Sequence, residues 1–222
     1  MVETKTIILN EQELVYKIHY KRIKNCYLRV EKGEVVIRCS PMFPQSEIEK
    51  IIRNHQDEIL EQIKGYIPKY NYQNGGYVYL FNQKYQIVLK DMNIKKCALH
   101  DRQIYVYSKN IQATIEMFLK QELMNYLKER IDFYLSTSFH HVFPEIQIKK
   151  MKRRWGACFY QKNRVCFNLV LAHIDYALID YVIVHELCHF LEANHSKAFY
   201  HEIEKRMPDY KERERLLKDV GI

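Results

Sequence analysis

The sequence predicts an α+β protein, in which a helical half with a short sheet carries a metal site and a strand-rich amino-terminal region precedes it. Three observations lead there. Apolar residues alternate with a period near two through much of residues 1–110, and the period lengthens to about 3.6 from Ile115 onward. The stretch "VIVHELCHFLEANHSKAF", residues 182–199, then concentrates three histidines and two glutamates at what reads as a helix end and the turn after it. The expected division is a strand-rich region with one helix over 1–110 and a metal-bearing region over 111–222.

Each element follows from local chemistry. "LVYKIHY", "CYLRV" and "VVIRC" read as strands of a β meander, the last two joined through "EKGE", where Gly33 takes the positive φ of a tight turn. After Pro41 and Pro44, Ser46 and Glu49 have capping-box spacing, and Ile48, Ile51, Ile52, Ile59 and Ile63 mark one face of a helix that stops at Gly65. "YIPKYNYQNGG" reads as a connector, "YVYLF" and "KYQIVLK" as a second hairpin, and "KKCAL" and "QIYVY" as two further short strands. Ile115, Phe118, Leu119, Leu123, Tyr126, Leu127, Ile131 and Tyr134 form the apolar stripe of a long helix that runs to about Ser138. "IQIKKM", "WGACFY" and "RVCFNLV" predict three strands, the last two joined near "QKN", and Asp175 starts the helix bearing the histidines. Pro208 ends a later short helix, and Asp209 with Glu212 caps the last one, which closes at "KDVGI".

Composition narrows the classes. A chain of 222 residues that is 47% hydrophobic has ample material for a packed core. No run approaches the ~18 apolar residues that cross a bilayer, and "MVETKTIILNEQELVYK" lacks the basic-then-apolar order of a signal peptide. The expected location is cytoplasmic, with no membrane partner. Cys26, Cys39, Cys97, Cys158, Cys166 and Cys188 include no CxxC pair, which fits reduced thiols; Cys158 and Cys166, symmetric about Lys162, are expected to face each other across a hairpin. A formal charge of +8 favours polyanionic partners such as nucleic acid or nucleotides, or serves solubility alone. The densest cluster, "KKMKRR" at 149–154, reads either as a phosphate-binding patch or as a solvated strand face.

The histidine stretch carries the chemistry. On a helix, residues four apart lie ~40° apart around the axis, so His185 and His189 point the same way and can grip one ion. Glu186, one step around, is angled toward a water on that ion, as a general base must be. His195 lies six positions after His189, about 240° away on an unbroken helix, so the helix must break. Asn194, tolerant of a left-handed conformation, and Ser196, a cap for the next helix, place the expected bend just beyond Ala193. Metzincins share the HExxH-x5-H spacing but have a glycine where this chain has Glu192. His201, Glu202 and Glu204 are competing ligands, and Glu192 is a candidate partner for a histidine N–H. Three imidazoles with an open fourth position make a catalytic rather than a structural zinc site, although such a site also accepts other divalent ions. In that reading zinc lowers the pKa of its water to ~7, and Glu186 takes the proton and passes it to the leaving group.

With "RRWGAC", "VCFNLVL", "IDYVIVHELCHFLEANHSKAF" and "PDYKERERLL" in this order, the chain resembles the YgjP-like metallopeptidase family, related to the SprT and Wss-type zinc proteases. The likeness is strong over about residues 145–218 and weaker in the amino-terminal half. It implies a zincin-like metallohydrolase region with His185, His189 and His195 as zinc ligands and Glu186 as the catalytic residue. Family members usually carry a serine before the arginine of RWG and another after its glycine, where this chain has Arg153 and Ala157. Arg154, Trp155 and Gly156 are retained, and Asn168 stands where the family's strand before the active helix commonly carries an asparagine. Arg154 and Asn168 are candidate substrate-binding residues, with bland alternatives in surface charge and a strand-end hydrogen bond. Unlike SprT proteins, the chain has no carboxy-terminal cysteine pairs for a zinc ribbon.

Three functions are weighed. The first is a zinc-dependent peptidase whose "RVCFNLV" strand pairs with an extended peptide or protein substrate, a mode that requires an exposed edge on that strand. The second is a metal-dependent nucleotide pyrophosphatase, with Lys152, Arg153 and Arg154 holding phosphates, although no Gly-rich phosphate loop is present. The third is a nucleic-acid-binding protein with a structural metal site.

Overall fold

The computed structural model describes residues 2–9, 12–31, 33–65, 70–92 and 94–220. It is α+β and forms two compact units, Met1–Pro68 and Lys69–Ile222. No helix among the described residues is long and apolar enough to cross a membrane.

The first unit is a four-stranded sheet with two helices. β1 (Val2–Leu9) and β2 (Gln12–Tyr20) pair antiparallel, as do β3 (Tyr27–Glu31) and β4 (Glu34–Cys39), with Gly33 at φ 75° in the second turn. Lys32 lies outside the described residues. The order is β1-β2-β4-β3, with β2 and β4 parallel, so the expected meander is corrected to a crossover. The reason is visible in the side chains. Val35, Val36 and Ile37 are a continuous buried run, as suits a central strand, whereas β3 alternates and takes the edge.

The single helix expected over 46–65 is two, α1 (Gln45–Asn54) and α2 (Gln56–Gly65), interrupted at His55 with φ −113° and ψ 19°. The capping box also fails. Pro44 is the cap and makes no side-chain bond, while Glu49 accepts from the Gln45 amide at 2.8 Å. Ile48, Ile52 and Ile59 nonetheless pack against Ile18, Val35 and Ile37 in one core.

Residues 66–69 of the expected connector lie outside the described residues, and its continuation forms β5 (Tyr70–Asn71) of a five-stranded sheet. β6 (Tyr77–Leu80), β7 (Gln83–Leu89), β8 (Lys96–His100) and β9 (Gln103–Tyr107) complete it in the order β5-β6-β7-β9-β8. α3 (Ile111–Tyr134) is capped by Asn110, whose side chain accepts from the Ala113 N–H at 3.1 Å, and it buries Ile115, Leu119, Leu123, Leu127 and Ile131. One π-helical turn, Leu135–Phe139, ends it. Ile87, Ile104 and Val106 of the sheet share a hydrophobic core with α3 and the helices that follow. The division between compact units therefore falls at Pro68 and Lys69, ahead of the boundary expected after residue 110.

A three-stranded sheet leads to the histidines. β10 (Glu145–Lys149) runs parallel to β12 (Arg164–Asn168), and β11 (Gly156–Phe159) runs antiparallel to it, in the order β10-β12-β11. β12 is paired on both sides, which excludes the peptide-pairing mode expected for "RVCFNLV". The register sets Cys158 opposite Val165 and Cys166 opposite Ala157, so the two thiols do not face each other, because a 3-10 turn at Tyr160–Lys162 shifts the hairpin by one residue. All six cysteines are free thiols. α4 (Tyr176–Cys188), α5 (Lys197–Arg206) and α6 (Tyr210–Val220) complete the chain's described elements, and Gly221 and Ile222 lie outside them. At the last helix, Asp209 accepts from the Arg213 side chain at 2.9 Å.

Candidate metal centre

α4 begins where Asp175 accepts the Ala177 N–H at 2.8 Å, then runs through Leu178–Val184, every residue of which is buried. Such all-round burial makes it a core helix, fixed by its packing rather than by one apolar face. His185 and His189 leave the same side of it one turn apart, with ring centroids 5.3 Å apart. The helix ends at Cys188 with His189 as its cap residue, and the N–H groups of Leu191 and Glu192 both bond back to the Cys188 carbonyl at 2.9 Å. The break thus comes at His189, earlier than the bend expected beyond Ala193. Asn194 is not among the described residues with positive φ; its carbonyl instead accepts the Ser196 N–H at 2.7 Å. Ser196 caps α5 as expected, accepting from the Phe199 N–H at 3.3 Å.

This turn returns His195 to the other two rings. Its centroid lies 5.0 Å from that of His185 and 4.9 Å from that of His189, and the two Nε2 atoms of His195 and His185 are 3.0 Å apart. The three residues each offer one ring nitrogen, all within 4.8 Å of one another. Phe199, wholly buried, touches all three rings at centroid distances of 5.0, 4.6 and 4.8 Å. It is the platform that the three imidazoles share.

The electrostatics suit a cation. Burial, then the neighbouring His189 and His195, hold His185 down at about 3, and burial also lowers His189. Both rings are therefore neutral donors. The His189 Nδ1–H donates to the Glu192 carbonyl at 3.2 Å, which leaves its Nε2 lone pair free, so Glu192 contributes its backbone oxygen rather than its carboxylate. His185 Nδ1 is buried without a partner. Two ring nitrogens 3.0 Å apart need a proton or a cation between them, and a divalent ion meets that need for all three rings at once.

Glu186 is 5% exposed, and burial pushes its carboxyl up to about 8 against the opposing pull of the Cys158 N–H and the Arg154 charge. Gly156 makes this position possible, since a Cβ there would lie 2.5 Å from Glu186 Oε1 and 2.7 Å from its Cγ.

Other expected residues are placed differently. Asn168 is 2% exposed and bonds the Met151 and Arg154 carbonyls at 2.8 Å each, so it holds a loop and is not open to substrate. Arg154 is exposed, with its carbonyl fixed by that bond. Glu202 does not join the histidines; it accepts from Lys205 at 2.7 Å and Arg206 at 2.6 Å, which together hold it down at about 2. His201 and Glu204 are exposed and also stand outside the group of three.

Comparison with known proteins places this geometry. The sequence matches the family described as YgjP-like, metallopeptidase domain, over residues 24–220. Among solved structures, it is similar to the metallopeptidase zymogen of Pyrococcus abyssi abylysin, at 17% identity and a TM-score of 0.39, covering 42% of this chain and 94% of that one. It is also similar to the metallopeptidase zymogen of Methanocaldococcus jannaschii jannalysin, at 24% identity and a TM-score of 0.38, covering 42% and 96%. No curated protein matches the sequence. The family match spans nearly the whole chain and includes every residue of the histidine cluster, so the chain belongs to the YgjP-like metallopeptidase family.

Proposed function

We propose that the chain is a zinc-dependent peptidase in which His185, His189 and His195 hold the metal and Glu186 is the general base. The observation that carries this is the convergence of three imidazoles, two of them kept neutral by burial, beside a buried carboxyl held up at about 8, near the pKa that suits proton transfer at neutral pH. Held by His185, His189 and His195, zinc would supply an acidified water and polarise the carbonyl under attack. Glu186 would accept a proton from water and return it to the leaving amine. The Cys158 N–H steadies its carboxylate form.

β11 replaces β12 as the strand that presents substrate. Among the described residues it pairs only with β12, and the bond from the Asn168 N–H to the Trp155 carbonyl at 2.8 Å fixes which of its groups face inward. By alternation Gly156 and Cys158 direct their backbone groups away from β12; the Cys158 N–H is taken by Glu186, which leaves the Gly156 groups and the Cys158 carbonyl for an extended peptide to pair with beside Glu186. Six free thiols fit a reducing compartment, and we place the protein in the cytoplasm. A nucleotide or nucleic acid as the ligand draws support from charge alone.

The test is cleavage of a mixed peptide library beside hydrolysis of nucleoside triphosphates, using zinc-loaded wild type and Glu186→Gln. Peptide cleavage that disappears in the variant and on chelation is expected. Triphosphate hydrolysis without peptide cleavage, or cleavage indifferent to Glu186, would overturn the reading.

A further inference from the structure

Residues 150–154 join β10 to β11 with no regular structure, yet a buried side chain fixes them. Asn168 donates both amide hydrogens, to the Met151 and Arg154 carbonyls at 2.8 Å each, and its oxygen accepts from the Met151 N–H at 3.2 Å and the Val170 N–H at 3.3 Å. That is the full capacity of an asparagine amide. The loop is pinned at both ends, with Lys152, Arg153 and Arg154 exposed on it. Lys150 is neutralised by Glu116 at 2.7 Å, whereas no carboxylate among the described residues lies within ion-pair distance of the next three cations.

Solubility does not require this arrangement, because lysines on a loose loop hydrate equally well. A pinned loop instead holds charge at a fixed place, and this one runs directly into Gly156, whose Cα lies against Glu186. Arg154 is near enough for its charge to act on the Glu186 carboxylate. We infer that Lys152, Arg153 and Arg154 are the specificity element of the cleft and select extended peptides with Asp or Glu beside the bond to be cut. Resting on the peptidase reading, this adds the substrate class. A phosphate ligand fits less well, since the loop leads into a strand and offers neither a helix N-terminus nor a glycine-rich cradle.

The experiment measures binding of labelled acidic and composition-matched neutral peptides to zinc-loaded Glu186→Gln at low and high salt. The acidic peptide is expected to bind about tenfold more tightly at low salt, with the gap closing as salt screens it. Combined Lys152→Glu, Arg153→Glu and Arg154→Glu reversal, at exposed positions that leave the circular dichroism unchanged, is expected to turn the preference toward basic peptides. Equal binding of acidic and neutral peptides, a preference unmoved by the reversal, or displacement of the acidic peptide by a lower concentration of nucleoside triphosphate or single-stranded DNA overturns the inference. The two readings separate cleanly. Cleavage by wild type without charge preference sinks only the specificity element, while intact acidic-peptide binding without cleavage sinks the peptidase and leaves the three cations as a binding element alone.

Discussion

Two buried carboxylates sit six residues apart on α4, and their surroundings are opposite. Asp180, 8% exposed, accepts from Tyr126 Oη at 2.8 Å, from Arg130 Nε at 3.0 Å and Nη2 at 2.7 Å, and from Tyr134 Oη at 3.1 Å. Glu186, 5% exposed, has the Cys158 N–H and the more distant Arg154 charge, and the neighbouring His185 Nδ1 has no partner at all. Burial is therefore common to both ends of the helix and distinguishes neither. What separates them is satisfaction: a closed network locks α4 to α3, while an under-supplied one leaves proton affinity and lone pairs available for chemistry.

The sharpest way to break this contrast is at its reactive end. Glu186→Gln keeps the shape and removes the base, so peptide cleavage is expected to fall by about 10²–10⁴-fold while zinc content stays near one per chain. Loss of zinc along with activity would mean that the carboxylate holds the site together, and the contrast would collapse. At the closed end the reverse should hold. Asp180→Ala strands Arg130 and two phenols, at a cost of ~2–4 kcal/mol in denaturant unfolding, tempered because the Arg130 side chain is 25% exposed. Its kcat, measured where the protein is still folded, should change by less than about threefold.

Gly156→Ala tests the boundary between strand and site. Its methyl would meet Glu186 Oε1, Cγ and Cδ within 2.8 Å, so either β11 or the carboxylate must move. A fall of about 10–100-fold in kcat/KM at unchanged metal content is expected, since displacing a reacting group by a fraction of an ångström is costly. Wild-type kinetics in this variant would show that Glu186 does not work from the position seen.

What the sequence disclosed of these regions follows the range of the interactions. The clustering of His185, His189 and His195 was legible because helical spacing pairs the first two and a short local turn returns the third, and Asp175 and Ser196 were legible because a cap bonds within three residues. The α+β division was legible from period alone. The Asp180 network was not, because its partners lie 46 to 54 residues away on α3. Of the two readings of Asn168 the hydrogen bond is the one realised, and its partners were hidden for the same reason: they lie 14 and 17 residues upstream. The parallel pairing of β2 with β4 was missed although a signal existed, since the run Val35, Val36, Ile37 has the unbroken apolarity of a central strand. The early break at His189 had no such signal. It takes the form of bonds three residues back, from the N–H groups of His189, Phe190 and Leu191 to the carbonyls of Glu186, Leu187 and Cys188, which tighten the last turn.

The smallest expected effect joins both ends of the argument, because an unsatisfied site should also be visible in stability. In zinc-free protein Glu186 is raised from 4.5 to about 8, so its contribution is fully present below pH 4.5 and is lost as pH rises through 8. His185 is lowered from 6.5 to about 3, so its contribution is present above pH 6.5 and is lost as pH falls toward 3. The two oppose each other between pH 4.5 and 6.5, and only Glu186 acts between 6.5 and 8. Wild type should therefore lose ~1–3 kcal/mol of unfolding free energy over that upper window, while Glu186→Gln stays level. Denaturant titrations of both zinc-free proteins at pH 5, 6.5 and 8 measure this directly. A wild-type profile as flat as the variant's between pH 6.5 and 8 would show that the carboxyl is already satisfied, and Glu186 would then belong with Asp180 among the structural carboxylates.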